Sequence, residues 1–275
     1  MRFRVFLGLF ASLLKILAVL MLVPGAVAAY YSETGGVIAF AVTALFTLVT
    51  AMLLMRLSTK EEPGLKEAFA LVSLGWLGAA FFGALPYILL GTSPIDGLFE
   101  SMSAFTTTGS SILTESNGQG YWIINSTLAA GSFSHHLELG LRSLTANSSL
   151  LQISNGTDKS YMGLLFWRSF AQWLGGMGII LLFVAVLPRL GVAGRQLYRA
   201  EVPGPDKDAL TPRIKQTAQV LWVVYILLTV AEVVLLYLAG MPIFDSLCNT
   251  FASMATGGFS PQSSSIMAYG SWRID

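Results

Sequence analysis

Five long apolar runs constrain the fold of this chain more than any other feature of its sequence. Each run is long enough to cross a hydrocarbon layer of about 30 Å as an α-helix, at about 1.5 Å per residue. The runs are Val5–Tyr30, Gly36–Met55, Ala68–Leu90, Met162–Leu187 and Ala218–Ala239. Helices are expected because lipid offers the backbone no hydrogen-bond partner, and a few separate segments cannot close a barrel. The sequence therefore predicts an all-α integral membrane protein with about five spanning helices.

The composition supports this class of protein and excludes others. Of the 275 residues, 54% are apolar and 11% are charged, and the mean hydropathy is +0.67. A soluble domain carries about 25% charged residues. We therefore expect a chain embedded in lipid that is neither an enzyme nor a nucleic-acid binder.

Positive charge in the loops predicts the orientation of the chain. Lys and Arg cluster around residues 2–4, 56–66 and 189–215, which share one side of the membrane if the spans alternate. Cytoplasmic loops are the ones enriched in these residues, so we expect a multi-pass protein of the cell inner membrane with a cytoplasmic N-terminus. The first run ends like a signal peptide, but Lys15 in its middle favours a retained helix, which we expect Pro24 to kink.

Two shorter segments of the chain repeat each other without a gap. Residues 91–111 and 240–260 align at a constant spacing of 149 positions, which pairs Gly91 with Gly240 and Gly109 with Gly258. The apolar runs that precede them align at the same spacing. Internal repeats of this kind determine an architecture. Each repeat predicts a spanning helix, a short outer turn, a half helix and a strand rich in Thr, Gly and Ser.

The segment from Pro94 to Phe105 predicts the first half helix. Ser93 is a typical N-cap, Pro94 suits the first helical position, and Asp96 places an acid in the first turn. Such a helix is about 18 Å long, which is too short to span the membrane but reaches its middle. The segment Thr106–Ser111 that follows favours irregular backbone, which membranes tolerate only inside protein or beside a watery cavity. The two half helices are therefore predicted to be re-entrant.

This arrangement favours the coordination of a cation. The C-terminal end of a half helix that enters from outside is partly negative and points to the membrane centre. The extended segment behind it presents backbone carbonyls, which can replace the hydration shell of a monovalent cation. Gly109 and Gly258 permit the backbone angles that such a strand needs. A pair of structural re-entrant loops without a ligand is the simpler alternative.

Several stretches resemble the Trk/Ktr/HKT superfamily of potassium transporters, and most closely its TrkH-type membrane subunits. They are Phe105–Ser110, Phe166–Ile180, Gln196–Pro205, Leu210–Ile214 and Ala255–Ser260. The resemblance covers most of the chain from about Pro63 onward and is looser for the first two helices. This family builds one pore per subunit from four helix–pore loop–helix repeats, like those of potassium channels.

The resemblance implies which residues bind the ion. The filter glycines would be Gly109 and Gly258, and a glycine at the first position resembles potassium-selective members, whereas a serine there marks sodium-preferring relatives. The flanking carbonyls would come from Thr107, Thr108, Thr256 and Gly257. The supporting residues would be Ser110, Ser111, Phe259 and Ser260. Potassium would be the transported ion, and no cofactor is expected.

The resemblance and the repeat together predict the domain organisation. Residues 1–62 would form an N-terminal helix pair, and residues 63–190 a first repeat with an extracytoplasmic insertion at about 116–160. Residues 191–212 would form a cytoplasmic loop, and residues 213–275 a second repeat that stops after its filter strand. The third and fourth repeats of the family have no counterpart in the sequence. We therefore expect a fragment of a longer subunit, or one half of a split subunit, that does not conduct alone.

The function implied is potassium uptake across the cytoplasmic membrane, either passive or by symport with another ion. The resemblance also implies a cytosolic nucleotide-binding regulatory subunit of the TrkA type and a homodimer of the full-length subunit. The alternative is a secondary transporter of another solute, with a site at the broken helices near the membrane midplane.

Three other groups of polar residues are weaker candidates. Glu232 lies within the fifth run, where an acid is a functional candidate by default, although a buried hydrogen-bonded role is favoured. Glu100, on the first half helix, would either raise the local cation concentration or make a structural hydrogen bond. His135, His136 and Glu138 lie in the insertion and offer too few fixed ligands to predict a zinc site.

Overall fold

The computed structural model describes residues 2–59, 61, 64–115, 122–123, 161–178 and 210–274. Most of this part of the chain is helical. The helices are α1 Phe3–Leu20, α2 Leu22–Tyr30, α3 Thr34–Arg56, α4 Leu65–Leu89, α5 Pro94–Phe105, α6 at 162–178, α7 Leu210–Leu238 and α8 Ile243–Met254. A 3-10 helix covers Ser265–Tyr269, and the strands β1 Thr114–Glu115 and β2 Trp122–Ile123 pair antiparallel, with Thr114 opposite Ile123.

The helical membrane architecture predicted from the apolar runs is confirmed. Four segments among the described residues are long and apolar enough to cross a membrane: Phe3–Tyr30, Thr34–Arg56, Phe69–Leu89 and Ala218–Leu238. The remaining run begins with α6, and its residues 179–187 lie outside the described part. Only 11% of the apolar window in α7 is buried, so this helix presents an apolar surface suited to lipid or to further protein.

The first apolar run forms two helices instead of one. The helix α1 ends at Leu20 and α2 begins at Leu22, with Pro24 in the first turn of α2. A proline has no N–H, and its ring clashes with the carbonyl four positions earlier, which here belongs to Leu20. The interruption expected from Pro24 is therefore present, and it falls at Met21.

Helix α6 lies at the centre of the described fold. Its residues Trp167 and Phe170 are buried in one core with Phe40 of α3, Phe105 of α5 and Phe251 of α8. The indole Nε1 of Trp167 donates a hydrogen bond of 3.0 Å to the backbone carbonyl of Gly83 in α4. Because α6 packs against both half helices, its side chains can contact the segments that follow α5 and α8.

A carboxylate from the N-terminal helix pair caps α6. Glu33, between α2 and α3, accepts hydrogen bonds from the backbone nitrogens of Met162 at 2.6 Å and Gly163 at 3.1 Å. The first N–H groups of a helix lack partners within the helix, and negative charge is favoured at this end. Burial raises the pKa of Glu33, against the lowering effect of the two N–H donors. The first helices are thus bonded to the repeat that follows them.

Candidate functional site

The two half helices repeat at the spacing found in the sequence. Helix α5 (Pro94–Phe105) and helix α8 (Ile243–Met254) each contain 12 residues and begin and end 149 positions apart. The predicted start of α5 is present, because the Ser93 hydroxyl accepts a hydrogen bond of 3.2 Å from the backbone nitrogen of Asp96. Pro242 makes no side-chain cap at α8. The two half helices therefore share their length and spacing, but their N-terminal caps differ.

Both half helices end in the same Schellman turn. Thr107 and Thr256 have left-handed φ angles of 56° and 55°. The next backbone nitrogens, of Thr108 and Gly257, each donate a bond of 2.9 Å to the carbonyl at the third position from the helix end. Glycine usually occupies the left-handed position, and a β-branched residue there is an outlier. Sequence reasoning missed this role of the two threonines.

The two predicted filter glycines also adopt left-handed angles. The φ angle is +75° at Gly109 and +84° at Gly258. A Cβ added to Gly109 would overlap the carbonyl oxygen of Gly257, whereas one added to Gly258 would meet nothing within 4 Å in the described part. The two predicted filter segments therefore lie with their backbones in direct contact.

The carbonyl groups of these segments are unpaired within the described part of the chain. The residues of these segments are half-buried or exposed. The backbone carbonyls that accept no hydrogen bond from a described residue are those of Thr107, Thr108, Gly109, Thr256, Gly257 and Gly258. An array of free carbonyls behind two half helices has the chemistry needed to coordinate a monovalent cation.

The supporting residues that were predicted have different surroundings. The carbonyl of Ser110 accepts a bond of 2.6 Å from the Ser103 hydroxyl, which ties the segment back to α5. Ser111 belongs to a buried ionic network with Glu100 and Arg168. The hydroxyl of Ser260 is buried and has no partner among the described residues.

The ionic network lies behind the first predicted filter segment. Arg168 Nε and Glu100 Oε2 are 3.1 Å apart, and both side chains are almost fully buried. Glu100 Oε1 accepts bonds from the Ser111 hydroxyl at 2.7 Å and the Ile112 nitrogen at 2.6 Å. The Glu100 carboxylate is therefore hydrogen bonded within the protein, which was one of the two roles expected from sequence.

Helix α6 also contacts the second predicted filter segment. The guanidinium carbon of Arg168 lies 4.2 Å from the ring centroid of Phe259. The Gln172 Oε1 atom accepts a bond of 3.3 Å from the backbone nitrogen of Phe259, and a Cβ on Gly257 would overlap the Gln172 side chain. Sequence reasoning did not single out Arg168 or Gln172. The available signals were that both are polar residues within an apolar run and that both lie in the stretch Phe166–Ile180, which resembles the family.

Of the weaker candidates from the sequence, only some lie among the described residues. Glu232 on α7 is half-buried and lies close to Ser253 at the end of α8. His135, His136 and Glu138 lie outside the described residues, as do the insertion at 116–160, apart from Trp122 and Ile123, and most of the loop at 191–212. Among the described residues there is no group of three or more His, Cys, Asp or Glu that could hold a metal ion.

Comparisons with known proteins identify several similar chains. The chain is 35% identical to the Trk system potassium uptake protein TrkH of Vibrio parahaemolyticus, over all of this chain and 49% of that protein. It is 37% identical to the TrkH protein of Escherichia coli K12, over 97% of this chain and 48% of that protein. The chain thus spans about half the length of these relatives.

A solved structure and a family model agree with these similarities. The crystal structure of the potassium transporter TrkH from Vibrio parahaemolyticus superposes with a TM-score of 0.72 and 31% identity, covering 100% of this chain and 47% of that one. The model of the TrkH family, described as a cation transport protein, matches residues 35–274. This chain therefore belongs to the TrkH family of cation transport proteins.

Proposed function

We propose that this chain is part of the translocating subunit of a potassium uptake system. Residues 63–190 form a helix–pore loop–helix repeat, and residues 213–275 form a second repeat that stops after its filter strand. Thr107–Gly109 and Thr256–Gly258 line part of the selectivity filter. The observation that carries this proposal is a set of carbonyls behind each half helix that accept no hydrogen bond from a described residue. The two sets are in contact at Gly109 and Gly257. The names of the relatives, Trk system potassium uptake proteins, supply the ion.

We propose that the N-terminus lies in the cytoplasm and the chain in the cell inner membrane. The support is the clustering of Lys and Arg around residues 2–4, 56–66 and 189–215. With this orientation, α5 and α8 enter from the outer side, and their C-terminal ends, where the carbonyl dipoles are negative, face the membrane centre.

We also propose two protein partners, a cytosolic nucleotide-binding regulatory subunit and a second copy of the complete subunit. The support for both is the resemblance of the sequence to TrkH-type subunits. The basic stretch at 189–215 is the expected docking region for the regulatory subunit. Association can be tested by co-purification with the regulatory protein encoded in the same genome.

The filter assignment is tested by Gly109→Ser. In the gene product that contains this chain, expressed in cells that lack other potassium uptake, we expect at least a tenfold stronger inhibition of rubidium uptake by sodium. A Cβ at this position displaces the Gly257 carbonyl and strains the left-handed backbone. The matched control is Gly270→Ser, because Gly270 also has a positive φ of +54°, but a Cβ there would meet no described residue within 4 Å.

Two outcomes would contradict the proposal. If Gly109→Ser leaves the competition between rubidium and sodium unchanged, this glycine is not part of a filter. If the protein takes up an organic solute, and this uptake is lost on Glu232→Ala but survives Gly109→Ser, the protein is a secondary transporter.

A further inference from the structure

We propose that Arg168 is a positioning residue that holds the two filter segments at a set distance and thereby sets the preference for potassium over sodium. This inference rests on the proposed function. Arg168 belongs to α6, the outgoing helix of the first repeat, yet its guanidinium contacts residues that follow both filter glycines. One rigid group thus joins two strands that are otherwise separated by 149 positions in the chain.

One edge of the guanidinium anchors the first segment. Arg168 Nη2 donates a bond of 2.8 Å to the Ser111 hydroxyl, and this hydroxyl donates a bond of 2.7 Å to Glu100 Oε1. The same carboxylate accepts the Ile112 backbone nitrogen at 2.6 Å and Arg168 Nε at 3.1 Å. The backbone just beyond Gly109 is therefore fixed to α5 and α6 together.

The flat face of the guanidinium anchors the second segment. Its central carbon lies 4.2 Å from the centroid of the Phe259 ring, within the range of a cation–π contact. The residue next to Gly258 is thus held by its ring, and its backbone nitrogen is held by Gln172 at 3.3 Å. Because Arg168 and Gln172 are one helical turn apart, α6 presents both groups to the same strand.

The second repeat has no acid at the position equivalent to Glu100; its buried acid, Asp245, is instead bonded to Gln262 and Tyr269. Asn249 occupies the position 149 residues after Glu100, and its side chain lies 3.5 Å from the sulfur of Met241. Ser260 corresponds to Ser111, and its hydroxyl has no partner among the described residues. Within the described part of the chain, the guanidinium of Arg168 is therefore the charged group that serves both segments.

An arginine suits this role and a lysine does not. Guanidinium is planar, it presents several donors in a rigid fork, and it stacks on aromatic rings, whereas an ammonium group is a compact point charge. A lysine at this position keeps the charge that balances Glu100 but loses the bond to Ser111 and the stacked face. The substitution Arg168→Lys therefore separates the positioning role from the mere neutralisation of a buried acid.

The test measures ion preference in the gene product that contains this chain. For Arg168→Lys we expect rubidium uptake to become at least fivefold more sensitive to inhibition by sodium, per protein present in the membrane. The control is Arg273→Lys, which makes the same change at an exposed arginine beside Trp272 and should leave the sensitivity unchanged. Gly109→Ser is measured in parallel as the test of the filter itself.

Each result decides the inference. It is overturned if Arg168→Lys lowers rubidium uptake but keeps the wild-type sensitivity to sodium, since that is the effect of a purely structural residue. If Gly109→Ser alters the sensitivity and Arg168→Lys does not, the proposed function stands and the positioning role fails. If Arg168→Lys does not reach the membrane, Phe259→Leu decides, because it removes the stacked ring and retains the ion pair. Sodium sensitivity that rises in this variant supports the inference, and unchanged sensitivity overturns it.

Discussion

Gly109 and Gly258 occupy equivalent positions but differ in what surrounds them. Both have left-handed backbones, with φ of +75° and +84°. Only Gly109 lies against another backbone, that of Gly257, while the space around Gly258 is open in the described part of the chain. A side chain at Gly258 therefore meets the conformational cost alone, about 1–2 kcal/mol for a left-handed residue. A side chain at Gly109 adds a steric overlap to that cost.

We accordingly expect Gly109→Ala to lower the thermal stability of the purified protein clearly more than Gly258→Ala. The comparison is well matched, because both changes add one methyl group to a left-handed glycine, at equivalent positions of the two repeats. Apparent unfolding temperatures in detergent measure the difference. Equal temperatures for the two variants would show that Gly109 and Gly257 do not touch in the folded protein.

The sequence allowed the left-handed backbone at these two glycines to be predicted. They are equivalent in the repeat, and glycine is the residue that most readily adopts a positive φ. The sequence did not allow the left-handed angles of Thr107 and Thr256 to be predicted, since a β-branched residue normally avoids that region. Arg168 was also missed as a site residue. Its role depends on α6 lying between two half helices, and this packing cannot be derived from residue spacing.

Among the elements, α6 depends on contacts from distant parts of the chain. Its first backbone nitrogens are bonded to Glu33, and its middle buries Trp167, whose indole is bonded to Gly83. The element that carries Arg168 and Gln172 is thus held at its N-terminus by the turn between α2 and α3. Bonds to a carboxylate at a helix start contribute about 0.5–2 kcal/mol.

For this reason we expect Glu33→Ala to lower the free energy of unfolding by about 1 kcal/mol. Glu33→Gln is the conservative control, because its amide oxygen can still accept one hydrogen bond. Its free energy of unfolding should fall by less than half as much as that of Glu33→Ala. Thermal unfolding of the purified protein measures both effects. The cap contributes nothing if the alanine variant unfolds at the wild-type temperature.

Predictability also varied among the elements. The bounds of α5 and its Ser93 cap followed from local capping preferences and were confirmed. The interruption of the first run was expected from Pro24, but the break falls at Met21, because the clash acts on the preceding turn. The cap at α6 could not be predicted, since Glu33 and Met162 are far apart in the sequence.

At the scale of the whole molecule, the proposed orientation determines which residues face each side. Ile95, at the start of α5, and Leu57, just after α3, have 81% and 62% of their surface exposed. If the N-terminus is cytoplasmic, Ile95 faces the outside and Leu57 the cytoplasm. The native Cys248 is buried and is not expected to compete for a labelling reagent.

We therefore expect a membrane-impermeant maleimide to label Ile95→Cys, but not Leu57→Cys, in intact cells. Both variants should become labelled once the membrane is permeabilised, which serves as the control for accessibility. Labelling of Leu57→Cys alone in intact cells would reverse the orientation, and with it the side from which the half helices enter.

The spans and the repeat were predictable at this scale because apolar length and constant spacing are one-dimensional properties. The contact between the two proposed filter segments was not predictable, since it joins Gly109 to Gly257, which are far apart in the sequence. The predicted domain boundary lies at residue 62. Hydrogen bonds cross it, because Glu33 in the N-terminal helix pair accepts the backbone nitrogens of Met162 and Gly163 in the first repeat.

The Schellman turns at the ends of α5 and α8 are built from hydrogen bonds within each segment. Their left-handed angles agree within a degree at the threonines, although the flanking side chains differ. A protein segment of this kind can therefore fold into the same turn wherever a duplicated gene segment places it. A duplicated copy therefore needs no new residues to form the half helix and its turn, and later mutation has only to adapt the surfaces between the copies.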